Sequence, residues 1–256
     1  MRIAMGIEYD GTAFLGWQTQ AQEPTVQATL EAALAKVADQ PVRVHGSGRT
    51  DTGVHARQQV LHFDTRAERP MRSWILGTNS NLPEAACILW AKIVPLDFHA
   101  RFSATGRTYR YRICNRPVRP ALGRNELTWI RQALDHRVMH RAGQALVGEH
   151  DFSAFRAVSC QARHPVRRLT RLAVERYHDQ VDILVEGNAF LHHMVRNIVG
   201  SLIEVGQGRQ PEGWIQQLLQ GRDRNAAGAT APAHGLCLER VSYPKAFELA
   251  EPGSGQ

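Results

Sequence analysis

The sequence predicts an α+β protein of two ferredoxin-like (RRM-like) halves, their strands forming a continuous mixed, mainly antiparallel sheet with a central cleft. Three observations predict this. Over residues 1–100, apolar runs of strand length take turns with amphipathic runs of helix length in the order β-α-β-β-α-β. A second round of related order begins near Arg101, without an obvious sequence repeat between the two. The chain has 256 residues, 43% hydrophobic and 21% charged, enough for one large domain or two small ones with a real core. The expected division is an N-terminal domain over 1–100, a C-terminal domain over 101–247 and a flexible tail over 248–256, where the sequence ends in EPGSGQ.

In order, Arg2–Tyr9 (RIAMGIEY) reads as a strand closed by the turn Asp10-Gly11. Pro24–Gln40 reads as a helix, with Thr25 near its start and an apolar face of Val26, Leu30, Ala33, Leu34 and Val37. Val42–His45 is a short strand running into a glycine-rich turn, and Gln59–Asp64 is the next strand. Met71–Leu82 is a helix that breaks at Asn79-Ser80-Asn81, followed by a strand over Cys87–Val94. In the second round, Thr108–Cys114 alternates as a strand does, and Arg137–Val147 is an amphipathic helix. Arg171–His178 and Val181–Gly187 form a hairpin about His178-Asp179-Gln180. Phe190–Val205, with an apolar face of Leu191, Met194, Val195, Ile198, Val199 and Leu202, and Gly213–Leu219 are helices, and Leu236–Val241 is a closing strand. Two such sheets side by side leave a cleft, and clefts at domain junctions are common sites for chemistry.

Charge narrows the class of partner. The net charge is +7, so an anionic partner is expected. Between Arg101 and Arg176 stand 16 arginines against five acids, a pattern that resembles a footprint for a polyphosphate backbone. Arginine offers a planar fork for phosphate and stacks on bases. A GC-rich genome accounts for the high ratio of arginine to lysine but not for the clustering. Cys87, Cys114, Cys160 and Cys237 lie far apart with no CxxC pair, which argues for buried or half-buried thiols over a zinc site or a disulfide framework. No apolar run approaches the roughly 18 residues a membrane span needs. The apolar stretch at the N-terminus is short and interrupted by Glu8 and Asp10, unlike a signal peptide, so a cytoplasmic protein is expected.

The segment GSGRTDTG, Gly46–Gly53, places Ser47, Arg49, Thr50 and Asp51 among three glycines, with His55 following. Glycines there permit positive φ and close approach of a ligand to the backbone. One reading is a tight connection in which Asp51 makes a local Asx-turn. A phosphate-cradling loop fits poorly, since GxxxxGK[ST] is absent and Asp51 breaks G-x-G-x-x-G. One carboxylate and one distant histidine do not make a metal set. A carboxylate beside an arginine is favoured in its ionised form, which suits a nucleophile or an electrostatic stabiliser more than a general acid. No second carboxylate stands nearby to make a glycosidase pair. A lone nucleophilic Asp acting on a nucleoside, without metal or cofactor, belongs to a short list.

GSGRTDTGVHARQQVLHFD resembles the catalytic stretch of the bacterial tRNA pseudouridine synthase A family, whose pattern is GRTD-x-GVHA-x-x-Q-V-x-HFD. The resemblance continues through YDGTAFLGWQTQ (9–20), TVQATLE (25–31), FHARFSATGRTYRYRI (98–113), FRAVSCQARHPVR (155–167), NAFLHHMVRNIVGSLIEVG (188–206) and GLCLERVSYP (235–244). The family's loop usually carries Ala where Ser47 stands, a position taken to need only a small residue. The resemblance implies Asp51 as catalytic nucleophile, Tyr109 as the active-site aromatic, and Arg196 as the basic residue paired with the nucleophile, carried on a helix opposite its apolar face. It implies that Leu236 walls the pocket and that Arg49 follows the displaced nucleotide and helps hold the target flipped out. Tyr109, Arg49, Leu236, His55, Arg107, Arg110 and Arg168 are the substrate-binding candidates. If the resemblance holds, Asp51, Tyr109 and Arg196 have to meet in one cleft between the halves. His192-His193 tempts a metal reading, but neighbours on a helix point about a hundred degrees apart, so no metal is expected.

The implied reaction isomerises uridine. The N1–C1′ bond breaks, the uracil turns and C5 bonds to C1′; nothing is oxidised and no cofactor is needed. Asp51 attacks C6, attacks C1′ or assists loss of the C2′ proton, and the sequence does not choose among these. The implied substrate is the tRNA anticodon stem-loop at positions 38–40, read by shape and backbone and bound by a homodimer. Two competitors are an RNA-binding module without activity and a synthase acting on a different RNA. Asp51 opposes the first, since a pure binder gains nothing from an acid facing phosphates. The length of the match opposes the second.

Overall fold

The computed structural model describes residues 1–21 and 24–249. The expected tail, beyond Glu248 and Leu249, lies outside the described residues. Those residues form, in chain order, β1 (Arg2–Tyr9), α1 (Val26–Ala38), β2 (His45–Gly46), β3 (His55–Asp64), α2 (Met71–Asn79), β4 (Ala86–Val94) and β5 (Gly106–Asn115). There follow β6 (Thr128–Ile130), α3 (His136–Gly143), β7 (Gly148–Asp151), β8 (Val166–Tyr177), β9 (Gln180–Gly187), α4 (Met194–Gly206), α5 (Trp214–Gly221) and β10 (Leu236–Ser242). The class is α+β, with mixed, mostly antiparallel strand pairing. The chain divides into two compact units, Met1–Gly106 with the chain from Cys237 on, and Arg107–Leu236. The sequence assigned the closing strand to the second half. Its contacts put it in the first, because Cys237 and Leu238 pair in parallel with His55 and Ala56 of β3.

In the first unit β1 lies between β4 and β3, antiparallel to both. With partners on both edges β1 is an interior strand of its sheet, and it is buried from Ile3 through Ile7. Helices α1 and α2 pack on one another and α2 on β4. Leu30, Leu34, Leu61, Phe63 and Trp74 are completely buried, with Phe63 and Trp74 edge to face at 5.3 Å. Each such side chain contributes about 1.5–3 kcal/mol of hydrophobic stabilisation. Thr25 caps α1 as expected, its Oγ1 accepting the Ala28 N–H at 3.3 Å. The strand expected at Val42–His45 is displaced to His45–Gly46. Val42 and Val44 are buried, but the Val44 N–H donates to the Glu31 carboxylate at 3.0 Å instead of to a strand. β3 is longer than expected and starts at His55, since β1 pairs along its length despite the polar Gln58, Gln59 and His62.

In the second unit the strands lie in the order β5-β9-β8-β7, all antiparallel neighbours, with β6 parallel on β5. The short β6 and β7 carry too few residues to show a period and were not expected. The hairpin turn is where expected, with His178 left-handed at φ 54°. The helix expected over Phe190–Val205 begins only at Met194. His193 has φ 59°, which no right-handed helix accommodates, so 190–193 form a turn. Beyond it the expected apolar face holds: Met194, Val195, Ile198, Val199 and Leu202 are buried. The helix expected to reach Val147 ends at Gly143 and continues as a 3-10 turn over Gln144–Leu146. Cys114 and Cys237 are buried and Cys87 and Cys160 half-buried, all as free thiols.

Candidate active site

The Asp51 loop is held from several sides within the first unit. At its start the buried Ser47 receives a backbone bond from strand β3, its N–H reaching the Val60 carbonyl at 2.8 Å. The Ser47 hydroxyl donates to Gln59 Oε1, and Gln59 Nε2 donates to the Gly48 carbonyl at 2.9 Å. The hydroxyl therefore does more than fill a small space. Thr50 is pinned twice: its hydroxyl bonds Tyr9 OH at 2.8 Å, and its carbonyl accepts the Trp17 N–H at 3.0 Å. After it the chain closes a turn, Val54 N–H to Asp51 carbonyl at 3.1 Å, around Gly53 at φ 80°. Gly16, at φ 86°, brings its backbone against Thr50 and Thr52, where a side chain does not fit. These bonds fix the backbone on either side of the Asp51 side chain. Asp51 is half-buried, between buried Thr50 and exposed Thr52, and the neighbouring Arg49 side chain is exposed.

His55 sits at the foot of this loop. It is 7% exposed, and its Nδ1 accepts the Gly11 N–H at 3.1 Å. Asp10 Oδ1 also lies 3.2 Å from that nitrogen. The Gly11 bond makes Nδ1 an acceptor, which places the ring proton on Nε2, so the Asp10 contact is not a charged hydrogen bond. These bonds give His55 a structural task in tying the loop to the β1 turn.

The other candidates lie in the second unit. On β5 the two-residue period puts Tyr109, Tyr111 and Ile113 on one face; Tyr111 and Ile113 are fully buried and Tyr109 is half-buried. Tyr111 hydroxyl bonds Thr128 and the Pro232 carbonyl, and burial pushes its pKa up. Tyr109 meets Phe190 edge to face at 5.0 Å. The turn carrying Phe190 is fastened by Asn188: its carbonyl accepts from Arg107 Nη1 at 2.7 Å and its Oδ1 accepts the Arg168 N–H at 3.0 Å. Tyr109, Arg107 and Arg168 are thus brought together at the β9–α4 turn. Arg110 is on the opposite face of β5 and pairs with Asp182 at 2.9 Å. Leu236 is buried. Arg196 is the one half-exposed residue in the first two turns of α4, which agrees with a position off the apolar face, although Asn197, Gly200 and Ser201 are also buried. His192 and His193 precede the helix, with ring centroids 4.0 Å apart, so the helical argument for their divergence does not hold.

The run of arginines is less one-sided in space than in sequence. Acids beyond the sequence window fold back onto it: Asp179 meets Arg116, Asp182 meets Arg110, Glu186 meets Arg171 and Glu212 meets Arg141. Arg156 and Arg176 are spent largely on backbone carbonyls. Arg119, Arg124, Arg131, Arg137, Arg163 and Arg168 remain exposed. Sequence reasoning missed Tyr9, Trp17 and Gln59 as supports of the loop, because each reads as ordinary core or strand.

The sequence profile described as tRNA pseudouridine synthase matches residues 5–103 and 142–244, which takes in the Asp51 loop, the β9–α4 turn and β10. The chain is 56% identical over 250 residues to tRNA pseudouridine synthase A of Stenotrophomonas maltophilia (strain K279a), covering 97% of this chain and 98% of that one. It is 54% identical over 251 residues to tRNA pseudouridine synthase A of Xanthomonas campestris pv. campestris (strain B100), with the same coverage. Among solved structures, an H/ACA ribonucleoprotein bound to a substrate RNA containing 2′-deoxyuridine aligns with a TM-score of 0.35 and 12% identity, over 78% of this chain and 44% of that one. A likeness that remote carries no argument. Identity above one half along nearly the whole length of both sequences does: the chain belongs to the tRNA pseudouridine synthase A family, isomerases that make pseudouridine in tRNA.

Proposed function

We propose that the enzyme isomerises uridine at positions 38–40 of the tRNA anticodon stem-loop, with Asp51 as nucleophile acting on a base flipped out of the stack. The observation that carries this reading is the Asp51 loop. Its backbone is fixed on both sides of a half-buried carboxylate by Ser47, Thr50 and Gly53. A fixed carboxylate lets binding energy be spent on placing the base, which is where an isomerisation without cofactor finds its rate.

In the reaction the N1–C1′ bond breaks, C5 bonds to C1′, the C5 proton leaves and N1 takes one up. Tyr109 stacks on the uracil and takes part in the proton transfer. Arg196 pairs with the Asp51 carboxylate, Arg49 follows the displaced nucleotide, and Leu236 walls the pocket. Arg107, Arg110 and Arg168 contact the backbone, and His55 supports the loop beside the substrate. The two units are taken as ferredoxin-like halves of a continuous sheet, and the enzyme as a cytoplasmic homodimer.

Asp51→Ala is expected to abolish pseudouridine formation in unmodified tRNA while tRNA binding stays within a few-fold. Chemical mapping of pseudouridine along the tRNA reads both the activity and the site. Turnover retained by Asp51→Ala would exclude Asp51 as nucleophile, and product outside 38–40 would exclude the proposed substrate site.

A further inference from the structure

A polar network in the second unit joins the loop over 224–231 to helix α4, and its centre is Arg224. Nη1 of Arg224 donates to the Gly228 carbonyl at 3.0 Å and the Ala227 carbonyl at 3.5 Å. Nη2 donates to Asn197 Oδ1 and Thr230 Oγ1, both at 3.0 Å. Thr230 Oγ1 in turn donates to Asn197 Oδ1 at 2.6 Å. Asn197 is fully buried, and its Nδ2 donates to the Phe155 carbonyl at 2.9 Å, so both the oxygen and the nitrogen of its amide are engaged.

The next residue of the loop then grips Arg196 itself. Ala231 N–H donates to the Arg196 carbonyl at 3.1 Å, and Arg196 Nε donates to the Ala231 carbonyl at 2.8 Å. The second bond fixes the rotation of the Arg196 guanidinium. The loop lies directly on the helix: a side chain at Gly200 would strike the Ala229 carbonyl, and Gly228 N–H reaches Ser201 Oγ at 3.1 Å. A loop needing only anchorage could use an apolar contact. A charged fork spent on four acceptors fixes geometry at the cost of desolvation.

We infer that Arg224 is a positioning residue for the isomerisation, acting through Asn197, Thr230 and Ala231 to orient Arg196. This rests on the role proposed above for Arg196. Arg224 also borders an open groove of about 660 Å3, shared with His193, Asn197, Asn225 and Thr230, so a small cation reaches its place from solvent.

The test is a double-mutant cycle on full-length protein with unmodified tRNA, using Arg224→Ala and Arg196→Lys. Arg224→Ala is expected to lower kcat by roughly a hundredfold, the scale of a misplaced catalytic group, with KM within about threefold. Added guanidinium ion should restore part of that loss. In the Arg196→Lys background, which lacks the Nε donor, Arg224→Ala should cost little more and guanidinium should restore nothing. Should Arg224→Ala fail to fold, the isosteric Thr230→Val carries the same cycle. Losses that multiply independently, or a rise in KM with kcat unchanged, would overturn the inference. Wild-type turnover by Arg196→Ala would instead remove the role of Arg196, and the inference would fall with it.

Discussion

Thr50, the residue before Asp51, is held by Tyr9 through its hydroxyl and by Trp17 through its carbonyl, and Ser47 ties the other end of the loop to Gln59. These bonds are buried, so removing one partner costs about 1–3 kcal/mol. Ser47→Ala, which matches the residue usual in the family, is expected to lower stability by about 1 kcal/mol, read as a shift in the urea midpoint without a change in slope. His62 offers a residue-scale prediction in pH. It is 2% exposed, and burial, then His99, Arg2 and His45, lower its pKa from 6.5 to about 4. A histidine whose folded pKa is depressed is neutral in both states above pH 6.5. Between 6.5 and 4 the unfolded chain binds the proton and the folded chain does not. Stability is therefore expected to fall as the pH drops through that window, by about 1.4 kcal/mol per unit of difference, and His62→Gln is expected to flatten the fall. Denaturant unfolding at pH 7, 5.5 and 4.5 checks it. Asp51 was legible because a motif surrounds it; His62 was not, because HFD reads as plain strand until its neighbours are known.

Helix α4 shows what a period can and cannot say. Its apolar face follows from spacing alone, and that face is buried. Its start does not follow, because the left-handed His193 is imposed by the turn that brings Phe190 to Tyr109. Nor does the sequence distinguish Gly200 from an ordinary helical glycine. In space it is the point where the 228–231 backbone crosses the helix, so Gly200→Ala is expected to cost about 1–3 kcal/mol by overpacking, visible as a lowered Tm. The same change at exposed Gly221, with nothing within 4 Å, is expected to be near neutral and serves as the control. β2 carries the opposite lesson: Val42 and Val44 are apolar and buried, yet Glu31 takes the backbone N–H that a strand would have used.

Across the whole molecule the +7 charge argues for a polyanionic partner, and tRNA is the substrate of the family. How individual arginines contribute depends on their pairing. Arg168→Ala removes an exposed side chain and is expected to reduce the salt slope of tRNA binding by about one, with stability unchanged. Arg110→Ala also strips Asp182 of its 2.9 Å partner, so part of its effect should appear as lost stability; filter binding over a salt series beside thermal unfolding separates the two. Among the described residues no helix is long and apolar enough to cross a membrane. The sequence by itself determined the α+β class, most elements, the Asp51 loop and the family, since each is written in local periods, glycine positions or a contiguous motif. Only the tertiary structure decided that β10 joins the first unit, that acids from 179–212 neutralise part of the arginine run, and that the loop holding Arg224 bonds Arg196 at Ala231. Those facts are pairings between residues far apart in the chain, and no local pattern encodes which distant partner a strand edge or a charge will find.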